Sequence, residues 1–171
     1  SYNADRWFHA ASTIKVPVLL GVFDAMERGE VQAHSRIHVR NRFLSLADGA
    51  PFRVDASRDA NNAVYGSLGR TMKVHELAYH MITTSSNLAT NLLVDIVGLE
   101  NIRNTLKRLG LAGIELKRGV EDESAWEKGL NNRVTANGLL RALRRVAGAR
   151  ETSCLQLGET HADCAAQLRF H

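Results

Sequence analysis

The chain has 171 residues, enough for one domain or slightly more, and 44% of them are apolar, an ordinary share for a globular core. Its formal charge is +4, with 22 cations and 18 anions intermixed; no basic stripe carries interleaved aromatics, so a nucleic-acid partner is not expected. Two cysteines, Cys154 and Cys164, are too few for a disulfide framework, and no apolar run is long enough to span a bilayer.

The chain opens at Ser1-Tyr2-Asn3 with neither a Met nor a leader pattern, as a processed, truncated or excised piece would. The first predicted element is a helix over residues 12–28, with Val16, Leu19, Leu20, Val22, Phe23 and Met26 as its apolar positions and Gly29 closing it. Pro17 is tolerable there because the first turn needs few amide donors. Residues 31–72 lose helical periodicity; Ile37-His38-Val39 and Phe52-Arg53-Val54 fit short strands, and Asp48-Gly49-Ala50-Pro51 fits a turn. Helical spacing returns over 74–83, and Thr84-Ser85-Ser86-Asn87 interrupts it with capping residues. A helix over 88–97 follows, apolar nearly all round and therefore expected to be the most buried. A third covers 99–109. Residues 117–134 are polar and loop-like. Thr135 caps a helix over 136–146, and 153–170 read as helical but broken by Gly158. The fold class expected is mainly α, with at most short strands between residues 31 and 72.

Three stretches carry chemistry. In Ser12-Thr13-Ile14-Lys15 the hydroxyl and the amine share one helical face, so Lys15 can reach Ser12. The positive end of the helix dipole and partial burial both disfavour the ammonium, and a neutral Lys15 can then take the proton of Ser12. Alone, S-x-x-K also fits a capping Ser beside a surface Lys. In the second stretch, Ser85 is suited to carrying a proton between Lys15 and a leaving group, and Asn87 offers a donor and an acceptor for a substrate amide. Here the alternative is that Ser85 and Ser86 only cap the following helix. The third stretch runs from Gly119-Val120-Glu121-Asp122 through Glu127 to Asn131-Asn132; one of its carboxylates can activate water, or the whole is a solvated acidic loop. His75 and His80 are five apart and do not share a helical face, and His161 and Cys164 lack further ligands nearby, so no metal is expected. Trp7 and Trp126 read as packing residues that can border a cleft.

Taken in order, these stretches resemble the penicillin-recognising serine hydrolases, specifically class A β-lactamases and their β-lactamase-like relatives, whose signature is S-x-x-K, S-D-N and K-T-G. Phe8 through Lys15, Met81 through Leu93 and Asn131 through Ala136 all look like family segments. The resemblance implies that Ser12 is the acylated serine and Lys15 its partner, and that Ser85 and Asn87 are the outer residues of the S-D-N triplet. Ser86 departs from the family Asp. Glu127 and Asn131 fit the E-x-x-L-N spacing of the water-activating loop, with Glu127 as its base and Asn131 as a binding residue. Relatives whose loop reads G-x-N-N and lacks that Glu match equally well.

None of the five lysines begins K-T-G or K-S-G. The resemblance therefore implies that residues 1–171 are a single helical domain, equivalent to the α domain of the family's α+β fold, with the antiparallel sheet largely missing. The implied activity is opening of β-lactams through an acyl-serine, impaired by loss of the K-T-G strand; the alternative is a catalytically incomplete binding or assembly module. A small-molecule β-lactam, or a related amide or ester, is the implied substrate. No cofactor and no membrane partner are expected, and the location implied is periplasmic or secreted. Another copy, a missing chain or further parts of a longer protein are expected to cover the sheet-facing surface; residues 1–8 and 155–171 should border it, with Trp7, Phe8, Leu168 and Phe170 as candidates to cover it.

Overall fold

The computed structural model describes residues 2–59 and 62–156, with side chains up to residue 148. A short strand, β1 (Trp7–His9), leads through a 3-10 turn (Ala11–Ile14) into α1 (Lys15–Glu27). Four short strands and one helical turn follow: β2 (Arg36–His38), β3 (Phe43–Leu44), β4 (Pro51–Phe52), α2 (Asn62–Tyr65) and β5 (Thr71–Lys73). Three helices come next, α3 (Val74–Thr83), α4 (Asn87–Val97) and α5 (Leu99–Arg108). The remainder is β6 (Ile114–Glu115), α6 (Glu123–Glu127), β7 (Arg133–Thr135) and α7 (Ala136–Gln156). The fold is mainly α, as expected. No helix among the described residues is long and apolar enough to cross a membrane.

Strand β2 overlaps the expected 37–39 at two residues, and β4 overlaps the expected 52–54 only at Phe52, taking in Pro51 from the expected turn. Strands β1, β6 and β7 lie outside the 31–72 window and form an antiparallel sheet in the order β1-β7-β6. At two or three residues each they are too short to show the alternation that marks a strand. This small sheet matters because β1 runs directly into the turn that carries Ser12. The Ala10 amide donates to the Asn132 carbonyl at 2.9 Å, so the start of α1 is fixed against the end of the 117–132 loop.

The core gathers around α4. Leu88, Ala89, Leu92 and Leu93 are fully buried, as an all-round apolar helix should be. Ser86 caps this helix, its Oγ accepting from the Ala89 amide at 3.2 Å. Helix α1 packs against α4 and, still more closely, against α5. Gly21 permits that approach: a Cβ there would stand 2.7 Å from Ile102 Cγ1. One turn on, the buried Asp24 accepts from Thr105 Oγ1 at 2.7 Å and pairs with Arg28 and Arg108, tying α1 to α5. Burial pushes the Asp24 carboxyl up. The hydrogen bonds from Arg108 and Thr105 and the charges of Arg108 and Arg28 outweigh it and hold the group below the ordinary carboxylate range.

Thr135 caps α7, its Oγ1 accepting from the Gly138 amide at 3.0 Å. On the outer surface Trp7, Phe8, Phe23, Leu140 and Leu143 remain exposed. Leu168 and Phe170 lie outside the described residues.

The close approach at Gly21 yields a stability test. Gly21→Ala gains helix propensity of about 1 kcal/mol but meets Ile102, and overpacking of this kind costs about 1–3 kcal/mol. Urea denaturation should show net destabilisation, and a double-mutant cycle with Ile102→Ala, which removes both γ carbons, should show the two substitutions costing less together than the sum of each alone.

Candidate active site

The site assembles where the starts of α1 and α4 meet. Ser12 sits in the 3-10 turn, exposed, and Lys15 is the first residue of α1, only 3% exposed. Lys15 Nζ donates to Ser12 Oγ at 3.3 Å, Ser85 Oγ at 2.7 Å, the Ser85 carbonyl at 2.6 Å and Asn87 Oδ1 at 2.8 Å. Ser85 Oγ in turn donates to Ser12 Oγ at 2.9 Å. Two hydroxyls and one amine thus form a closed triangle across some seventy residues of sequence. The two capping residues have separate duties: Ser86 caps α4, whereas Ser85 turns into the site.

Burial pushes the Lys15 ammonium down from the ordinary 10.5 to about 8, against the charges of Asp59 and Glu121, which raise it. An amine so poised exchanges a proton readily near neutral pH. The backbone here is strained. Ala11, Ser85 and Glu121 have φ of 44°, 57° and 61°, in the left-handed region that side-chain-bearing residues avoid at a cost of about 1 kcal/mol or more each.

The carboxylate bonded into this cluster is Glu121. Its Oε1 accepts from Asn87 Nδ2 at 2.7 Å and its Oε2 from the Asp55 amide at 2.9 Å. Glu127 is exposed at the end of α6, and no hydrogen bond joins it to Ser12, Lys15, Ser85 or Asn87 among the described residues. Asn131 is half-buried beside it, and its Oδ1 is buried without a hydrogen-bond partner among the described residues. The predicted Ser12, Lys15, Ser85 and Asn87 are therefore brought together, and Glu127 and Asn131 are not bonded to them.

Glu121 is set by long-range contacts. The buried Asn91 of α4 grips the loop as a strand neighbour would: its Oδ1 accepts from the Val120 amide and its Nδ2 donates to the Val120 carbonyl, both at 2.8 Å. Asn132 holds the start of the same loop, its Oδ1 accepting from the Lys117 amide at 2.7 Å and the Arg118 amide at 3.1 Å. Asp122 caps α6 and also accepts from the Leu46 amide at 3.2 Å. Glu121 and Arg58 border a cavity of about 230 Å3 with Phe52 and Arg53. A larger one, about 750 Å3, lies between α5 and β6 and is lined by none of the predicted site residues.

The model of the Beta-lactamase enzyme family matches residues 1–161. A β-lactamase from Sphaerobacter thermophilus is 26% identical with a TM-score of 0.67, over 98% of this chain and 55% of its own. The structure titled PBP-A is 23% identical with a TM-score of 0.64, over 85% and 49% respectively. Penicillin-binding protein D2 from Listeria monocytogenes, in a cefotaxime-bound form, is 20% identical with a TM-score of 0.64, over 86% and 55%. The chain thus spans about half the length of the solved structures it resembles. No protein of curated function matches the sequence. The family match over nearly the whole length, joined to the shared fold, makes this chain a member of the Beta-lactamase enzyme family.

Proposed function

We propose that these residues are the helical part of a serine hydrolase that opens β-lactams through an acyl-serine. The observation that carries this is the closed triangle of Ser12, Lys15 and Ser85. Ser12 Oγ attacks the lactam carbonyl as Lys15, in its neutral form, takes the proton. Ser85, bonded to both, passes a proton to the ring nitrogen as the C–N bond breaks. Asn87 uses Oδ1 on Lys15 and Nδ2 on Glu121, while its second Nδ2 proton makes only a long 3.5 Å contact with the Arg58 carbonyl, which a substrate carbonyl would displace. Glu121, rather than Glu127, is the carboxylate we assign to activating the water that releases the product. Its bond to Asn87 supports that role. Asn131 is then a loop residue and not a substrate contact. A periplasmic or secreted setting accords with the family.

A second reading is favoured by one observation: none of the five lysines begins K-T-G. An oxyanion donor supplied by such a strand is worth about a hundred- to thousandfold in turnover. On this reading the 171 residues alone are a binding or assembly module, and residues 1–171 act as one helical domain.

Intact-mass measurement with a fluorescent penicillin separates the two. A single adduct on Ser12, lost in Ser12→Ala, is expected, with a rate that rises with pH about a midpoint near 8 as Lys15 loses its proton. Absence of any adduct would favour the module. Release of the label gives a further test: Glu121→Gln should slow it by about 10²–10⁴-fold, the usual worth of a general base, and Glu127→Gln should leave it unchanged.

A further inference from the structure

We propose that Asp59 is a positioning residue for this site, its carboxylate setting the Ser85-Ser86-Asn87 turn that binds Lys15 and supporting the charge of that amine. The inference rests on the reading of Lys15 as the base for Ser12.

Asp59 follows a 3-10 turn (Ala56–Arg58) that Asp55 caps, and it is 8% exposed. Its Oδ2 accepts from Ser86 Oγ at 2.9 Å and from the Leu88 amide at 3.1 Å. Ser86 Oγ also accepts from the Ala89 amide, so the carboxylate, the hydroxyl and the first turn of α4 form one chain of bonds. The negative charge lies at the positive end of the α4 dipole. A buried carboxylate needs compensation, and beyond those two donors its Oδ1 has no hydrogen-bond partner among the described residues. The turn it holds is the one whose Ser85 and Asn87 bind Lys15, and the Asp59 charge raises the basicity of that amine, ahead of Glu121. These two carboxylates face Lys15 from different segments, Asp59 from the loop after the 3-10 turn and Glu121 from the loop before α6.

The S-x-N triplet itself has no acid, because its middle residue is Ser86. Asp59 supplies a carboxylate to that same residue from 27 positions earlier. Asp59 thus does two things through others. It fixes the backbone that aims Ser85 and Asn87, and it keeps the Lys15 amine from losing its basicity altogether.

Lysine-selective NMR titration of the full chain tests this without any substrate, so its outcome is independent of whether Ser12 is acylated. The Lys15 signal is assigned by its loss in Lys15→Arg. Asp59→Asn keeps an oxygen for Ser86 and Leu88 but removes the charge. In that variant the Lys15 midpoint should shift to lower pH while thermal unfolding stays cooperative. Where acylation is observed, the acid limb of its pH profile should shift the same way. Asp59→Ser, neutral and small, should shift the midpoint in the same direction and serves if the asparagine variant fails to fold. A folded variant whose Lys15 midpoint coincides with that of the parent chain would overturn the proposal, because a purely structural Asp59 would leave the titration in place.

Discussion

One buried cation organises the molecule. Lys15 places its amine among oxygens of Ser12, Ser85 and Asn87, and so joins the first turn of α1 to the first turn of α4. Removing an ammonium from water costs several kcal/mol, and only good geometry with full hydrogen bonding offsets that. Four oxygen contacts and two facing carboxylates provide it here. Burial still wins the electrostatic contest, which leaves an amine close to losing its proton. The packing of α1 on α4 and α5, with Gly21 against Ile102 and Asp24 against Thr105, keeps the two helix starts in register.

Around that cation the polar residues form a second scaffold. Asn91, Asn132, Asp122 and Asp59 are buried, and each spends its side chain on backbone amides or hydroxyls of distant segments. Such groups are costly unless satisfied, and the bonds that Asn91, Asn132 and Asp122 make specify a single arrangement. The positions of the loops carrying Glu121 and Asp59 relative to Lys15 are set by these bonds and by contact with α4.

The helices were readable because 3.6-residue spacing and capping residues are local signals. The helices at 74–83 and 99–109 match α3 and α5 almost to the residue, and the one at 88–97 differs from α4 only by Asn87. The pairing of Ser12 with Lys15 was readable for the same reason, since i and i+3 meet on one face. The bond between Glu121 and Asn87 was not. The path of that loop depends on Asn91 gripping Val120 from another helix, and no local pattern encodes that. Asp59 left no signal either, because its bond to Ser86 exists only after the chain has folded. Strands β1, β3, β5, β6 and β7 left no signal of their own, because two or three residues cannot display an alternation.

The left-handed conformations of Ala11, Ser85 and Glu121 set stability against chemistry. Glycine at any of the three would relax the backbone. At 85 it would also delete the hydroxyl that links Lys15 to Ser12, and at 121 the carboxylate on Asn87. On the proposed function, a search for heat-resistant variants, blind to activity, would therefore drift toward glycine at the very positions whose side chains link Lys15 to its neighbours, and would enrich well-folded proteins that have lost that network.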